Sequence, residues 1–277
     1  MTWDSVPNPY VPVPTTIEDV VQETSNIKTF FLRPEKPVPF LAGQFVELTV
    51  PGLGEAPFTP SSSPAEAEKL EVTIMRVGRV TERLHSMKAG DKIAIRGPLG
   101  KPYPLNEFKG KEVLILGGGV GLAPLRALLF ALFEGIGDYR GIIVRYGART
   151  PSDIVYRAAV QKAWDQKIDL MVTVDRGDDA WKGHVGVVTT ILEKAFLTCD
   201  SSAGVAVVCG PPIMMKFGTL KLLEIGYAPD RIYLSMEKNM SCGIGKCGHC
   251  RLGAHYACKD GPVFPYDKIK DLPKIWD

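Results

Sequence analysis

The chain has 277 residues, of which 45% are apolar and 23% are charged, and its formal net charge at pH 7 is +2. This length suits two domains with an appendage, and the apolar content is sufficient for two buried cores. A net charge so close to zero, with no block of like charge, gives no reason to expect nucleic acid as a partner.

The first residues of the chain are rich in proline and lack the basic start and apolar core of a signal peptide. Because proline fixes φ and removes a backbone N–H, residues 1–14 are expected to form an extended arm and not a sheet strand. Without a signal peptide the protein is expected in the reducing cytoplasm, where disulfides are rare. The apolar stretch 113–133 is broken by glycines, Pro124 and Arg126, so it indicates a strand and a buried helix and not a membrane span.

Residues 15–107 carry short β-like runs separated by turn signals, a pattern that predicts a small antiparallel β-barrel. The predicted strands are Ile17–Val21, Thr29–Leu32, Gln44–Val50, Leu70–Val77 and Lys92–Arg96.

After Pro104 the pattern changes to alternating strands and helices, and residues 108–235 are expected to form a doubly wound α/β domain with a parallel sheet. The predicted strands are Val113–Leu116, Gly141–Tyr146, Asp169–Val174, Gly204–Cys209 and Arg231–Ser235. The predicted helices are Leu122–Glu134, Asp153–Asp165, Val187–Ala195 and Pro212–Gly226.

Two turns in this second domain have the composition of phosphate or nucleotide sites. Residues 117–124 (GGGVGLAP) follow a strand and open a helix, where glycines let a diphosphate approach the positive helix end. Residues 209–215 (CGPPIMM) form a second turn at the carboxyl edge of the sheet. Each pattern also fits a plain strand-to-helix connection, the second with proline in the first helical turn; Cys209 is then a small buried apolar residue.

Four of the six cysteines lie close together near the C-terminus, within residues 236–277, which are expected to form a metal-binding loop and tail. The spacing of Cys242, Cys247, Cys250 and Cys258 is C-x4-C-x2-C-x7-C, whose first part matches plant-type [2Fe–2S] proteins. Glycines at 243, 245 and 248 can adopt positive φ and direct backbone N–H groups at sulfur. A structural zinc site is the alternative, although such sites more often show two C-x2-C pairs.

Taken together, these motifs resemble the ferredoxin–NADP reductase superfamily, and in particular its iron–sulfur flavoprotein subunits. The resemblance covers nearly all of the chain beyond the arm. Within that group the cysteine loop is most similar to the γ subunits of cytoplasmic [NiFe] hydrogenases (sulfhydrogenases), and the chain is also similar to the electron-transfer subunit of dihydroorotate dehydrogenase. The resemblance implies an N-terminal flavin-binding β-barrel, an α/β NAD(P)-binding domain and a C-terminal iron–sulfur loop.

The resemblance also implies roles for residues of the barrel in binding FAD. Phe58 and Thr59 would lie along the flavin, but Ala56 stands where the family has an arginine for the flavin diphosphate, which leaves FMN or an altered FAD pose as alternatives. A second family motif, G-x-x-[ST], matches residues 78–81, and Arg76 or Arg79 could replace the missing charge. The residues expected to bind flavin are Phe58, Thr59, Arg76, Gly78, Val80 and Thr81. Thr81 also fits a helix N-cap.

For the nicotinamide nucleotide, the family positions are the two glycine turns and the ends of two strands. The expected contacts are Gly118, Gly119, Val120, Gly121, Gly210, Pro211 and Met214, with Arg149 and Arg176 at the adenosine end. A 2′-phosphate would be favoured by Arg149, Arg157 and Arg176, whereas Asp175 would favour a free ribose hydroxyl. The sequence therefore does not decide between NADH and NADPH as the nucleotide. Glu237 matches a family carboxylate beside the nicotinamide, although a lone glutamate there is also a common solvated turn residue.

The expected function is that of an NAD(P)H-linked electron-transfer subunit of a larger redox complex. A hydride would pass between nicotinamide C4 and flavin N5, and single electrons between the flavin and a [2Fe–2S] cluster held by the four cysteines. A cytoplasmic [NiFe] hydrogenase is the expected complex. The alternatives are a flavin and iron–sulfur subunit of dihydroorotate dehydrogenase, heterodisulfide reductase or a bifurcating transhydrogenase, and a zinc-stabilised binding module without catalysis.

Overall fold

A computed structural model describes residues 8–162, 168–192 and 203–276 of the chain. Its N-terminal part is a six-stranded antiparallel sheet in the order β4-β3-β6-β1-β2-β5. Strands β4 and β5, at the two ends of this order, contact each other, so the sheet curls into a barrel. The strands are β1 (Val13–Thr24), β2 (Ile27–Pro34), β3 (Phe45–Val50), β4 (Gly54–Phe58), β5 (Leu70–Met75) and β6 (Lys92–Leu99).

The barrel encloses a core of alternating apolar side chains, including Phe30, Leu48 and Ile95, all at most 1% exposed. A short helix, α1 (Arg79–His85), follows β5, and α2 (Leu105–Phe108) leads to the second domain. The prediction of an antiparallel barrel is confirmed.

Two features of the barrel differ from the expectation. Strand β1 begins at Val13, so Val13 and Pro14, which were expected in the arm, pair with β6. Pro14 is tolerated because its carbonyl still accepts a hydrogen bond from the Glu35 N–H at 2.9 Å. Strand β4 was not among the β runs read from the sequence pattern, because glycine and proline interrupt it, although the family resemblance places residues 56–59 on a barrel strand.

The second domain is a seven-stranded sheet in the order β10-β9-β8-β7-β11-β12-β15, parallel except for β15. Its strands are β7 (Glu112–Gly118), β8 (Gly141–Ala148), β9 (Asp169–Val174), β10 (His184–Val185), β11 (Val205–Cys209), β12 (Ile232–Ser235) and β15 (Val263–Pro265). Helices α3 (Leu122–Glu134) and α5 (Pro212–Glu224) contribute to two different apolar clusters, because alternate residues of β7 face opposite sides of the sheet. The doubly wound α/β prediction is confirmed.

Two predicted helices differ in the structure. A 3₁₀ turn at Pro151–Asp153 ends where the predicted helix was to begin. Helix α4 (Arg157–Lys162) begins only after Tyr156, whose φ of +54° interrupts the helix. Over 187–195 the described part is a 3₁₀ helix at Val188–Leu192 and not an α-helix. The remaining residues of both predictions lie outside the described ranges.

The C-terminal segment connects the two domains. After β12 the chain forms an irregular loop, then a hairpin of β13 (Arg251–Leu252) and β14 (His255–Tyr256), and α6 (Ala257–Asp260). It returns as β15, which pairs antiparallel with β12, and ends near α7 (Tyr266–Ile269). On the barrel side, the Lys101 N–H donates to the Gly261 carbonyl at 2.6 Å. None of the helices in the described ranges combines the length and the apolar character that crossing a membrane requires.

Candidate functional site

The expected flavin residues lie on two adjacent elements of the barrel. Ala56 and Phe58 are two residues apart on β4 and therefore share one face of the strand. Phe58 is half-buried and packs against the barrel core. Helix α1 contacts β4, so the two family motifs are neighbours in space.

The start of α1 is organised by the hydroxyl of Thr81. This hydroxyl accepts hydrogen bonds from the N–H groups of Val77 and Gly78, both at 2.9 Å, and donates to the Gly78 carbonyl at 2.8 Å. Gly78, and not Thr81, is therefore the N-cap residue, and Thr81 stabilises the turn from within the helix. A Cβ at Gly78 would meet no atom within 4 Å, so the space beside this turn is open.

Strand β4 (Gly54–Phe58) contains no arginine, so an arginine that replaces the family residue at 56 must come from another element. Arg76 and Arg79 are exposed beside the α1 turn, and neither forms an ion pair with another described residue. Arg96 binds Glu55, the residue before Ala56, at 2.6 Å. Because successive residues of a strand point to opposite faces, Arg96 lies on the side of β4 away from Ala56.

The two glycine turns of the α/β domain meet at the carboxyl ends of the neighbouring strands β7 and β11. The strand order reverses between these two strands, which is where open α/β sheets bind ligands. A Cβ on Gly121 would lie 2.5 Å from the Cys209 carbonyl oxygen and 2.6 Å from the Gly210 Cα. Only glycine permits this close contact between the two backbones.

The other expected nucleotide residues surround this contact. Met214 packs over Gly118 and Gly210, and a Cβ on Gly118 would lie 2.9 Å from the Met214 Cε. Val120 is half-buried in the 3₁₀ turn Gly119–Gly121. The structure thus brings Gly118–Gly121, Gly210, Pro211 and Met214 together.

The charged residues expected at the adenosine end lie along the same edge of the sheet. The N–H groups of Asp175 and Arg176 donate to the carbonyls of Ala148 and Arg149, both at 3.0 Å, which aligns the ends of β8 and β9. Arg149, Arg157, Asp175 and Arg176 are all exposed.

Cys209, which was expected to be a plain buried residue, lies beside the expected carboxylate. It ends β11 and is 8% exposed. Burial raises the pKa of the Cys209 thiol to about 12, a hydrogen bond with Ser235 opposes this shift, and the charge of Glu237 adds to it. Glu237 is exposed and follows β12. Cys209 and Ser235 are thus neighbours of the candidate nucleotide turn that the sequence did not single out, and the only sequence signal was the position of Cys209 before Gly210.

The four cysteines of the C-terminal loop form two pairs of sulfur atoms. The Cys250 and Cys258 Sγ atoms are 3.2 Å apart, and the thiols of Cys242 and Cys247 interact with each other. Among the residues that the structure describes, no three His, Cys, Asp or Glu side chains converge as the ligands of a single ion do. A two-iron cluster with two thiolates on each iron requires two such pairs.

Backbone N–H groups of the loop point at these sulfurs. Gly245 N–H donates to Cys258 Sγ at 3.1 Å, and Lys246 and Cys247 N–H donate to Cys242 Sγ at 3.2 and 3.4 Å. The turns that direct them use φ values of +73° at Gly243 and +75° at Gly245. N–H donors around sulfur are the environment of an iron–sulfur cluster, so the residues present fit this group.

The two pairs of thiols differ in their electrostatics. Although burial opposes ionisation, hydrogen bonds from the backbone of Cys247, Ile244 and Lys246 lower the pKa of Cys242 to about 6. Burial, together with its hydrogen bond to Cys250, raises the pKa of Cys258 to about 12. Cys247 is exposed, whereas Cys250 and Cys258 are buried, so one pair lies at the surface and the other beneath it.

The fold and these sites define a ferredoxin–NADP reductase-like flavoprotein with an added iron–sulfur loop. Three family models match the chain: an oxidoreductase FAD-binding domain over residues 14–103, an oxidoreductase NAD-binding domain over 115–219, and the iron–sulfur cluster binding domain of dihydroorotate dehydrogenase B over 237–270. FAD-binding, NAD-binding and iron–sulfur-binding domains are therefore present, and the chain is an oxidoreductase subunit.

Similar proteins identify the family. Sulfhydrogenase 1 subunit gamma of Pyrococcus furiosus is 35% identical, with 98% of this chain and 96% of that protein covered. A probable dihydroorotate dehydrogenase B electron transfer subunit of the same organism is 34% identical over 90% of this chain and 88% of its own length. A chain in a structure of NADH-dependent reduced ferredoxin-NADP oxidoreductase superposes with a TM-score of 0.75 at 30% identity, covering 92% of this chain and 91% of its own. The chain belongs to this family of electron-transfer subunits, and the resemblance drawn from the sequence is confirmed.

Proposed function

We propose that this chain is the subunit through which a larger cytoplasmic redox complex exchanges electrons with NAD(P)(H), using FAD and a [2Fe–2S] cluster. The observation that carries the proposal is the grouping of the four thiols of residues 242–258 into two pairs. These pairs lie in one chain with a flavin-type barrel and a nucleotide turn. The chemistry that the bound groups supply is the conversion of a two-electron hydride into single electrons. A reducing cytoplasm keeps the four thiols available for metal.

We assign the binding of each group to the residues that the fold brings together. FAD would be held by Phe58, Thr59 and the α1 turn with Gly78, Val80 and Thr81. The charge of its diphosphate, which Ala56 cannot neutralise, would be met by Arg76 or Arg79. The glycine contact between the turns at 118–121 and 210–211, with Met214, would hold the nicotinamide nucleotide. Glu237, whose charge acts on Cys209, would orient the nicotinamide. Cys242, Cys247, Cys250 and Cys258 would hold the cluster.

We propose that the complex is of the [NiFe] hydrogenase type. Two sulfhydrogenase gamma subunits, at 35% and 36% identity over 98% and 94% of this chain, support this assignment. The second candidate is a dihydroorotate dehydrogenase complex, which is supported by an electron transfer subunit at 34% identity over 90% of the chain. In either complex a partner subunit would supply the terminal active site, as the relatives' description as subunits suggests.

The cofactor assignment is tested on protein purified anaerobically. We expect flavin and cluster absorption, iron and acid-labile sulfide in equal amounts, and FAD released on denaturation. Stopped-flow bleaching of the flavin with NADH and with NADPH, compared between wild type and Arg176→Ala, identifies the nucleotide, because loss of a 2′-phosphate contact weakens NADPH only. A colourless protein that carries one zinc ion contradicts the proposal.

The choice of complex is tested by its partner. We expect the tagged chain, isolated anaerobically from its native cells, to carry a nickel-containing subunit and to bleach its flavin under H₂. Copurification with a second flavoprotein and bleaching by dihydroorotate would instead establish the second candidate.

A further inference from the structure

Arg96 is a buried arginine that joins three separate parts of the chain. It lies on β6 and is 3% exposed. Its Nη2 and Nε bind Glu55 Oε2 of β4 at 2.6 and 3.1 Å. Its Nη1 donates to the carbonyls of Cys242 at 3.1 Å and of Pro9 at 3.3 Å. One guanidinium therefore connects the flavin-type strand, the cysteine loop and the N-terminal segment.

This arrangement uses the geometry of arginine and not its charge alone. The Nε and Nη2 edge forms a fork on one carboxylate, and Nη1 serves two carbonyls on another side. The Tyr10 ring lies 5.9 Å from the Arg96 Cζ and covers the group. A lysine would keep the charge but not the planar fork that places donors on the Glu55 carboxylate along one edge and on the two carbonyls along another.

A second buried ionisable group lies under the same turn of the loop, and burial raises its pKa to about 7 although the charge of Arg96 opposes this shift. Glu47 of β3 is the register partner of Arg96 and is fully buried, and neither of its carboxylate oxygens has a hydrogen-bond partner among the described residues. A Cβ on Gly243 would lie 3.6 Å from Arg96 Nη1, 3.7 Å from Glu47 Oε1 and 2.5 Å from the Leu99 side chain. The turn after Cys242 thus packs directly on Arg96 and Glu47, and a side chain at position 243 would push the turn away from them.

We propose that Arg96 is a positioning residue that fixes the cluster-bearing turn at Cys242 against the flavin-binding strand and thereby sets the separation of the two electron carriers. It also places a positive charge next to the first cluster ligand. Glu55 lies on the same strand as the flavin segment 56–59 but on its opposite face, so the contact holds the loop to the strand and not to the flavin face. The inference rests on the flavin and cluster assignments of the proposed function.

The test compares holoproteins of wild type, Arg96→Met, Arg96→Lys and, as a matched control, Arg145→Met. Arg145 is also buried, at 1% exposure, and also binds a carboxylate, Asp169, at 2.9 Å, but it lies in the parallel sheet away from the loop. The readouts are the redox midpoint of the cluster by EPR-monitored titration and hydrogen exchange of peptides covering 241–250. These peptides contain the N–H groups that donate to sulfur.

Removing Arg96 should move both readouts. Loss of a positive charge beside an anionic cluster disfavours its reduction. For Arg96→Met we expect the reduced-to-oxidised ratio at the wild-type midpoint to fall about tenfold, which is about 59 mV for a one-electron couple, together with faster loop exchange. Arg96→Lys should keep the midpoint close to wild type but show the faster exchange. Arg145→Met should change neither.

The proposal is overturned if Arg96→Met has the cluster midpoint potential and the loop hydrogen exchange of the wild type. It is also overturned if Arg96→Lys has the loop hydrogen exchange of the wild type. If Arg96→Met does not accumulate as folded protein, Glu55→Gln decides, because it leaves Arg96 on the loop but weakens its hold on β4. Faster loop exchange in that variant supports the proposal, and unchanged exchange overturns it. A wild-type protein without iron or flavin would instead refute the proposed function.

Discussion

The nucleotide edge of the sheet and the cysteine loop are both candidate cofactor sites, but they are built in different ways. The nucleotide turns end β7 and β11, which pair in register from Val113↔Val205 to Gly117↔Cys209 within a buried sheet. The cysteine loop has no helix or strand between β12 and β13. It is held by turns with positive φ and by contacts such as that of Arg96 with Cys242, 146 residues away in sequence. The first site takes its shape from regular structure, and the second depends on tertiary contacts and on the metal that its thiols would bind.

The strongest test of this contrast is the removal of one thiol of the inner pair by Cys258→Ser. We expect loss of the cluster, because Cys258 Sγ lies 3.2 Å from Cys250 Sγ and also accepts the Gly245 N–H. Iron, sulfide and the visible spectrum measure the loss, whereas flavin bleaching by NADH should persist. The control is Ser241→Ala, in the same loop, which should retain iron. Full iron content in Cys258→Ser would refute the assignment of this ligand.

The corresponding test of the nucleotide edge is Gly121→Ala. The added Cβ would meet backbone atoms of Cys209 and Gly210 at 2.5 to 2.7 Å, which side-chain movement cannot relieve. A strain of about 1–3 kcal/mol should weaken nucleotide binding roughly tenfold to a hundredfold and leave the cluster spectrum unchanged. Titration of the flavin with NADH measures the effect.

The matched control for this variant is Gly137→Ala, where a Cβ would meet nothing within 4 Å. It should bind nucleotide as wild type does. Equal affinity in Gly121→Ala and Gly137→Ala would mean that the close contact of the two turns does not form the nucleotide site.

A smaller effect is expected at the seam between barrel and sheet. The Tyr156 hydroxyl hydrogen-bonds Thr73 of β5, and the Tyr156 N–H donates to Glu23 of β1 at 2.9 Å. Tyr156→Phe removes one buried hydrogen bond and should lower the free energy of unfolding by about 1 kcal/mol. Denaturant unfolding measures this change. The lost hydrogen bond joins Tyr156 to the barrel and involves no assigned site residue, so iron content and nucleotide affinity should stay at wild-type values. A loss of nucleotide affinity would show coupling through Val155 and Tyr146, whose hydroxyl donates to the Gly119 carbonyl.

The smallest effect is a change in pH dependence within the barrel. Burial lowers the pKa of His85 below its ordinary value of 6.5, although a hydrogen bond to the Ile74 carbonyl at 2.9 Å opposes the shift. A depressed histidine pKa contributes stability above pH 6.5 that is lost as the pH falls through the folded-state pKa. His85→Gln should therefore lose less stability than wild type between pH 7 and pH 5 in thermal unfolding. If the unfolding temperatures of wild type and His85→Gln fall in parallel between pH 7 and pH 5, His85 is not the origin of the pH dependence.

The parts of the fold that could be predicted are those with a strong periodic pattern. Strands β7 and β11 and helix α3 are mostly apolar and largely buried, so their hydrophobic pattern is enough to predict them. Strands β4 and β15 were missed because they are short and contain proline, and they form only because a neighbouring strand is present to pair with them. The helix expected over 187–195 is a 3₁₀ helix in its described part, since its packing between β8 and α5 outweighs local propensity.

The candidate sites also combine features that local sequence patterns predict with contacts that only the folded chain forms. By itself, the sequence determined the cysteine spacing, the two glycine turns and the order of the domains, because those features depend on residues close together in the chain. Only the tertiary structure decided that Gly121 touches Cys209 and Gly210, that Glu237 lies beside Cys209, and that Arg96 binds both Glu55 and Cys242. These contacts join strands and loops far apart in sequence, and the free energy that selects them comes from burying charge and apolar surface that no local pattern records.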